Sequence, residues 1–232
     1  MSLKQAEILG VNVNSLTMVQ AVEKVQQFID ERENALIATA NAEMLMRATQ
    51  DEELKHILNS ADLVVPDGAG TVWAANYLGV EMPERVAGYD LAQELMREAP
   101  GRGDRIYFFG SAPGVAESAR EKAMELYPGI KIVGTRNGFF SEADEPEIIA
   151  EIKAARPDIL LAALGVPKQE KWLYKYRQEL QVPVAIGVGG TLDVMAGVMQ
   201  RAPLWMQKAK LEWLFRGLKQ PSRAGRLLAL PK

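Results

Sequence analysis

Short apolar runs of four to six residues recur along this 232-residue chain, each set apart from the next by a longer stretch of helical periodicity. That alternation limits the fold more than any other feature. A strand buried on both faces reads as a continuous apolar run, whereas a helix laid over it reads with a period near 3.6. The strand candidates are Ala35–Ala40, Leu63–Val65, Arg105–Phe109, Lys131–Gly134, Asp158–Leu164 and Val184–Val188. Helical patterns cover Met18–Glu31, Gly114–Leu126, Glu145–Ala155 and Lys168–Leu180, with Gly, Pro or Asn at the junctions. Strand and helix in turn imply βαβ crossovers. The expected fold is α/β and Rossmann-like, a mostly parallel sheet with helices on both faces. The residues before Leu16, with Gly10 between two short apolar pieces, suggest a small hairpin or edge strands.

Charge divides the chain unevenly. The net charge is -3, but Leu204–Lys232 carries seven Lys or Arg against the single acid Glu212, a balance of +6, which leaves -9 on the first 203 residues. Residues 1–203 therefore read as one α/β domain and 204–232 as a short basic helical appendage able to meet phosphates or anionic lipid. In that appendage Leu204, Leu211, Leu214 and Leu218 repeat at helical spacing beside Trp205, Trp213 and Phe215, a pattern that a helix packed on the core would also give. The acidic body argues against nucleic acid as a partner. No apolar stretch approaches the ~20 residues of a membrane span, and Met1–Ala6 lacks signal-peptide architecture, so a cytoplasmic location is expected.

Several chemistries are closed by composition. The chain has no cysteine, which excludes thiolate catalysis, disulfides and sulfur-ligated zinc. Its only histidine, His56, lies in a short polar helical segment and is expected to face solvent, so general acid or base work falls to carboxylates. No D-x-D pair is present to hold a divalent ion on a sugar nucleotide, and neither a metal nor another cofactor is expected.

In an open parallel sheet, ligands bind beyond the carboxyl ends of the strands. Two loops there suit phosphate: Gly110-Ser111-Ala-Pro-Gly114, which opens a helix, and Gly187-Val-Gly189-Gly190-Thr-Leu-Asp193. Neither completes a dinucleotide fingerprint, and tight strand-to-helix turns would look the same. Asp67 follows Leu63–Val65 and precedes Gly68, which places a carboxylate on a constrained turn, although Asp also suits turns and helix caps. Thr39 and Asn41 end another strand, again as hydrogen-bonding groups or caps. Arg85 and Asp90 flank Gly88 ahead of a helix, and Lys168 and Glu170 read as a solvated face around Gln169.

These residues fall into five ordered motifs: Thr39-Ala-Asn41-Ala-Glu43, Val65-Pro-Asp-Gly68, Pro83-Glu-Arg85-Val-Ala-Gly-Tyr-Asp90, Leu164-Gly-Val-Pro-Lys-Gln169-Glu-Lys-Trp172 and Gly187–Asp193. In them the chain resembles the WecG/TagA/CpsF family of bacterial glycosyltransferases, from near residue 7 to its last residues. The resemblance implies inverting transfer of N-acetylmannosamine from a UDP-N-acetylhexosamine donor to undecaprenyl-diphosphate-linked GlcNAc, in wall teichoic acid or related surface polysaccharide synthesis. It makes Asp67 the catalytic base, and Thr39, Asn41, Arg85 and Gln169 substrate-handling residues. Asp193 with Gly110, Ser111, Gly189 and Gly190 would serve the nucleotide. Phe139, where some relatives carry Tyr, keeps stacking and loses a phenol hydrogen bond. The appendage would dock on the anionic inner face of the plasma membrane and bring Arg216, Arg223 or Arg226 to the diphosphate. A homo-oligomer stays open. The rivals are an NAD(P)-dependent Rossmann oxidoreductase, which fits the glycine loops but lacks the full fingerprint, and a nucleotide-sensing membrane adaptor, which needs no base.

Overall fold

The structure, a computed structural model, describes residues 3–203 together with Trp205, Met206 and Phe215. Its centre is a six-stranded, all-parallel sheet of β3 (Ala35–Ala40), β4 (Leu63–Pro66), β5 (Arg105–Gly110), β6 (Lys131–Arg136), β7 (Ile159–Ala163) and β8 (Val184–Gly187). The spatial order is β4-β3-β8-β7-β5-β6, with every neighbouring pair parallel. This is the α/β, Rossmann-like architecture expected from the alternation. The residues before Leu16 form an antiparallel hairpin, β1 (Gln5–Ile8) and β2 (Val11–Asn14), which is a separate two-stranded sheet.

Side chains alternate across the sheet and build a core on each face. Ile37, Ile106, Phe108, Ile159, Leu161 and Ile186 pack beneath α1 (Met18–Glu31), α5 (Gly88–Arg102), α6 (Val115–Leu126) and α9 (Thr191–Met195). On the other face, Leu36, Tyr107, Phe109, Leu160 and Ala185 meet α3 (Glu52–Asn59), α7 (Glu145–Ala155) and α8 (Lys168–Leu180). The hairpin, α2 (Ala42–Ala48) and α4 (Ala69–Tyr77) close a third cluster around Ala40, Met44 and Val64. Strand β6 runs two residues past its expected end at Gly134. The pairing of β5 with β6 shifts between Ile106 and Tyr107, and a Cβ on Gly134 would overlap the Tyr107 ring, so the glycine lets the pairing resume beyond the irregularity.

The strand ends also position the loops. Asn41 caps α2 by accepting from the Met44 N–H at 3.0 Å, and Gly68, at φ 102, starts α4. No helix among the described residues is long and apolar enough to cross a membrane. The expected appendage, including Arg216, Arg223 and Arg226, lies outside the described residues apart from Trp205, Met206 and Phe215.

Candidate functional site

The carboxyl ends of the strands hold two groups of candidate residues joined by a buried strut. Asp67 follows β4 directly. Its N–H donates to the Ala40 carbonyl at 2.9 Å, its own carbonyl accepts from the Thr71 hydroxyl at 3.4 Å, and the side chain is half-buried. A carboxylate is thus presented at the mouth of the sheet on a backbone bonded through both its N–H and its carbonyl. Arg85 reaches the same end of the sheet because the next residue, Val86, donates its N–H to Pro66 O at 2.9 Å. The Arg85 guanidinium stands 3.5 Å from Asp90 in the first turn of α5.

On the other side of the centre lie the glycine loops. Ser111, at φ 58, donates from its hydroxyl to Asp193 Oδ2 at 3.2 Å, which links the turn after β5 to α9. A Cβ on Gly110 would strike the Ala163 backbone, so only glycine fits where β5 and β7 end side by side. Gly138 donates its N–H to Ser111 O at 2.8 Å, and next to it Phe139 projects a ring that is 75% exposed. Lys168 places its amine 3.9 Å over Phe140 and 3.2 Å from Gly138 O, adding positive charge beside these turns. The arrangement offers an exposed aromatic face, an Asp, a hydroxyl and close-lying backbone, a set able to take a base, a ribose and a phosphate.

Between the two groups, Thr39 and Gln169 are buried and engaged with the protein. Thr39 donates to Gly187 O at 2.9 Å. Gln169, 1% exposed, accepts the N–H groups of Gly165 and Gly189 at 3.1 Å each and donates to Glu170 Oε1 at 2.7 Å. The Gly189 amide is therefore already bonded. Glu170 departs from the solvated face expected of it. It is 2% exposed, because the inward stripe of α8 that carries Trp172 and Leu173 begins at residues 169 and 170. The two residues that sequence reasoning passed over are this one and Arg201, which grips Asp90 through two bonds of 2.6 and 2.8 Å and lies over the Tyr89 ring. Helical phase could have found Glu170. Nothing local to Arg201 points to a partner 111 residues away.

Burial pushes the Glu170 carboxyl up to about 7, against the opposing hydrogen bond from Gln169 and the nearby Arg47 charge. Its ordinary value is 4.5, so the folded protein holds this proton more tightly than the unfolded chain does. That contribution to stability is complete below about pH 4.5 and lost as pH rises to about 7, a difference of about 3 kcal/mol. Glu170→Gln has no such step. Urea unfolding at about pH 5 and about pH 8 should show wild type losing stability relative to this variant across the window.

The structure thus brings Asp67, Asn41 and Arg85 to one side and Gly110, Ser111, Phe139, Gly189, Gly190 and Asp193 to the other, with Thr39 and Gln169 between. An open cleft of about 450 Å³ touches Arg85 and Asp90, but Glu84 and Glu94 in its wall suit it poorly to a diphosphate. His56 is exposed, as its segment predicted. Among the described residues, no three Asp, Glu or His side chains converge as metal ligands do.

Comparison with known proteins gives the chain's relatives. Residues 6–232 match the model of the "Glycosyl transferase WecG/TagA/CpsF family". A protein of Bacillus spizizenii is 37% identical over 205 residues, 88% of this chain and 79% of its own length. One of Bacillus subtilis strain 168 is 35% identical over 96% of this chain and 85% of its own, and one of Staphylococcus aureus strain MW2 is 32% identical over 98% and 89%. All three are named N-acetylglucosaminyldiphosphoundecaprenol N-acetyl-beta-D-mannosaminyltransferase.

Proposed function

Because the chain belongs to the WecG/TagA/CpsF family of glycosyltransferases, we propose that it moves N-acetylmannosamine from UDP-N-acetylmannosamine to undecaprenyl-diphosphate-linked GlcNAc. The observation that carries this reading is the match to named transferases along nearly the whole chain, joined to a carboxylate held at a strand end opposite a nucleotide-sized set of loops. Asp67 takes the proton of the acceptor sugar hydroxyl as that oxygen attacks the anomeric carbon. The bond to UDP breaks as the new bond forms, and attack from the opposite face inverts the anomeric configuration. UDP departs with its charge met by backbone dipoles and cationic side chains. Phe139 and Asp193 hold the base and ribose, and Asn41 and Arg85 the acceptor side. The enzyme works peripherally at the cytoplasmic membrane surface, where its lipid-linked acceptor resides, with 204–232 as the contact.

The oxidoreductase rival shares the loops and differs in ligand. Thermal shift separates the two: UDP is expected to raise the melting temperature and NAD to leave it unchanged, and the reverse would overturn the transferase reading. Paired aspartates of the D-x-D kind are absent from the sequence, so EDTA is expected to leave the initial rate unchanged. Loss of turnover on chelation, restored by magnesium, would contradict a metal-free displacement.

A further inference from the structure

Gln169 and Glu170 form a buried pair at the centre of the strand ends, and the pair has a single workable hydrogen-bonding arrangement. A glutamine carboxamide can present either its oxygen or its nitrogen in a given direction, and the neighbours decide which. Here two backbone N–H groups, from Gly165 and Gly189, converge on one terminal atom, while Glu170 Oε1 faces the other at 2.7 Å. Turning the amide over would set N–H against N–H and oxygen against oxygen. Glu170 is what makes the second half of that choice. Gly187 leaves room for both side chains, since a Cβ there would lie 2.6 Å from Gln169 Nε2 and 3.0 Å from Glu170 Oε1.

The consequence is a tie between loops. Gly165 belongs to the turn after β7 and Gly189 to the turn after β8, so one carboxamide oxygen sets the distance between them. Beyond Gly189 come Gly190 and Asp193, and Asp193 accepts from Ser111 in the turn after β5. Stability does not explain the acid. Its second oxygen is buried with no hydrogen-bond partner, which is a cost, and an apolar side chain of similar volume would avoid it.

We propose that Glu170 is a positioning residue for donor binding: by accepting from Gln169 it fixes the carboxamide that ties Gly165 to Gly189, and so sets the Gly189–Asp193 turn for the nucleotide diphosphate. This rests on the transferase reading above. Glu170 touches no substrate in this assignment and acts only through Gln169.

The test compares Glu170→Leu, Glu170→Asp, Glu170→Gln and Gln169→Leu in the full-length protein, with a UDP-sugar and a short-chain lipid-diphosphate GlcNAc acceptor. Leu removes the acceptor atom, Asp withdraws it from reach, and Gln keeps an oxygen in place. Glu170→Leu should melt at or above wild type at about pH 8 yet raise KM for the UDP-sugar about tenfold, with a smaller change in kcat. Glu170→Asp should behave like Leu and stands in for it if Leu fails to fold. Glu170→Gln should stay within about twofold of wild type, and Gln169→Leu/Glu170→Leu should be no worse than Gln169→Leu alone, because both changes cut the same tie. Wild-type KM in both Glu170→Leu and Glu170→Asp, equal damage in Glu170→Gln, or multiplied effects in the double variant would overturn the assignment. A wild type that transfers no sugar would sink the proposed function itself, whereas an active wild type with indifferent Glu170 variants sinks this inference alone.

Discussion

Asp67→Asn is expected to lower turnover by about 10²- to 10⁴-fold while UDP affinity and folding stay near wild type. The structure gives a reason for that separation. Its N–H donates to Ala40 O and its carbonyl accepts from the Thr71 hydroxyl, backbone bonds that Asn keeps. An amide of almost the same size therefore fits the same turn but has no lone pair basic enough to take a hydroxyl proton. The donor candidates Ser111, Phe139 and Asp193 lie across the strand ends and lose nothing. Single-turnover transfer, together with UDP binding by calorimetry, checks both halves, and near-normal turnover by the variant would remove Asp67 as base.

Ending the chain at Pro203 should act on two levels. It deletes seven cations and one acid, and at about 1 kcal/mol for each cation near an anionic surface, partition onto anionic liposomes should fall by on the order of 10³-fold or more. Turnover on a soluble short-chain acceptor should also fall, by about 10²-fold, if an arginine of the appendage meets the diphosphate in addition to the membrane contact. Arg216, Arg223 and Arg226 are its candidates, since a guanidinium grips a diphosphate through two parallel hydrogen bonds where an ammonium offers a point charge. Single Arg→Lys changes should leave liposome binding almost intact while at least one slows transfer. Full-rate turnover of a soluble acceptor by a folded truncated chain would reduce the appendage to a membrane contact.

The sheet was legible because its strands are buried on both faces, so Ile159–Ala163 or Ala35–Ala40 stands out as an unbroken apolar run. Helix α4 was not. Ala69–Tyr77 carries no charged residue, exposes Trp73 and Tyr77, and so lacks the apolar-to-polar contrast that marks an amphipathic helix. The end of β6 was masked by Gly134, whose role depends on a Tyr107 ring in the neighbouring strand. The strand-end rule picks out Asp67, Ser111 and Asp193, which lie just beyond β4, β5 and β8, but it does not tell a side chain facing ligand from one facing protein. Thr39 and Gln169 are hydrogen-bonding residues in the right places, yet the structure engages them with Gly187, Gly165 and Gly189. Which partner such a group takes is set by contacts from distant strands, and a local motif does not carry that information.

Mass spectrometry of the acceptor reads sugar transfer onto the lipid diphosphate itself. Wild-type protein incubated with a short-chain lipid-diphosphate GlcNAc and a panel of UDP-sugars should yield an acceptor heavier by one N-acetylhexosamine residue, with UDP released in equal amount and UDP-N-acetylmannosamine the preferred donor. An acceptor unchanged in mass with every UDP-sugar in the panel, by protein that is folded and binds UDP, would mean that this protein is not the transferase proposed.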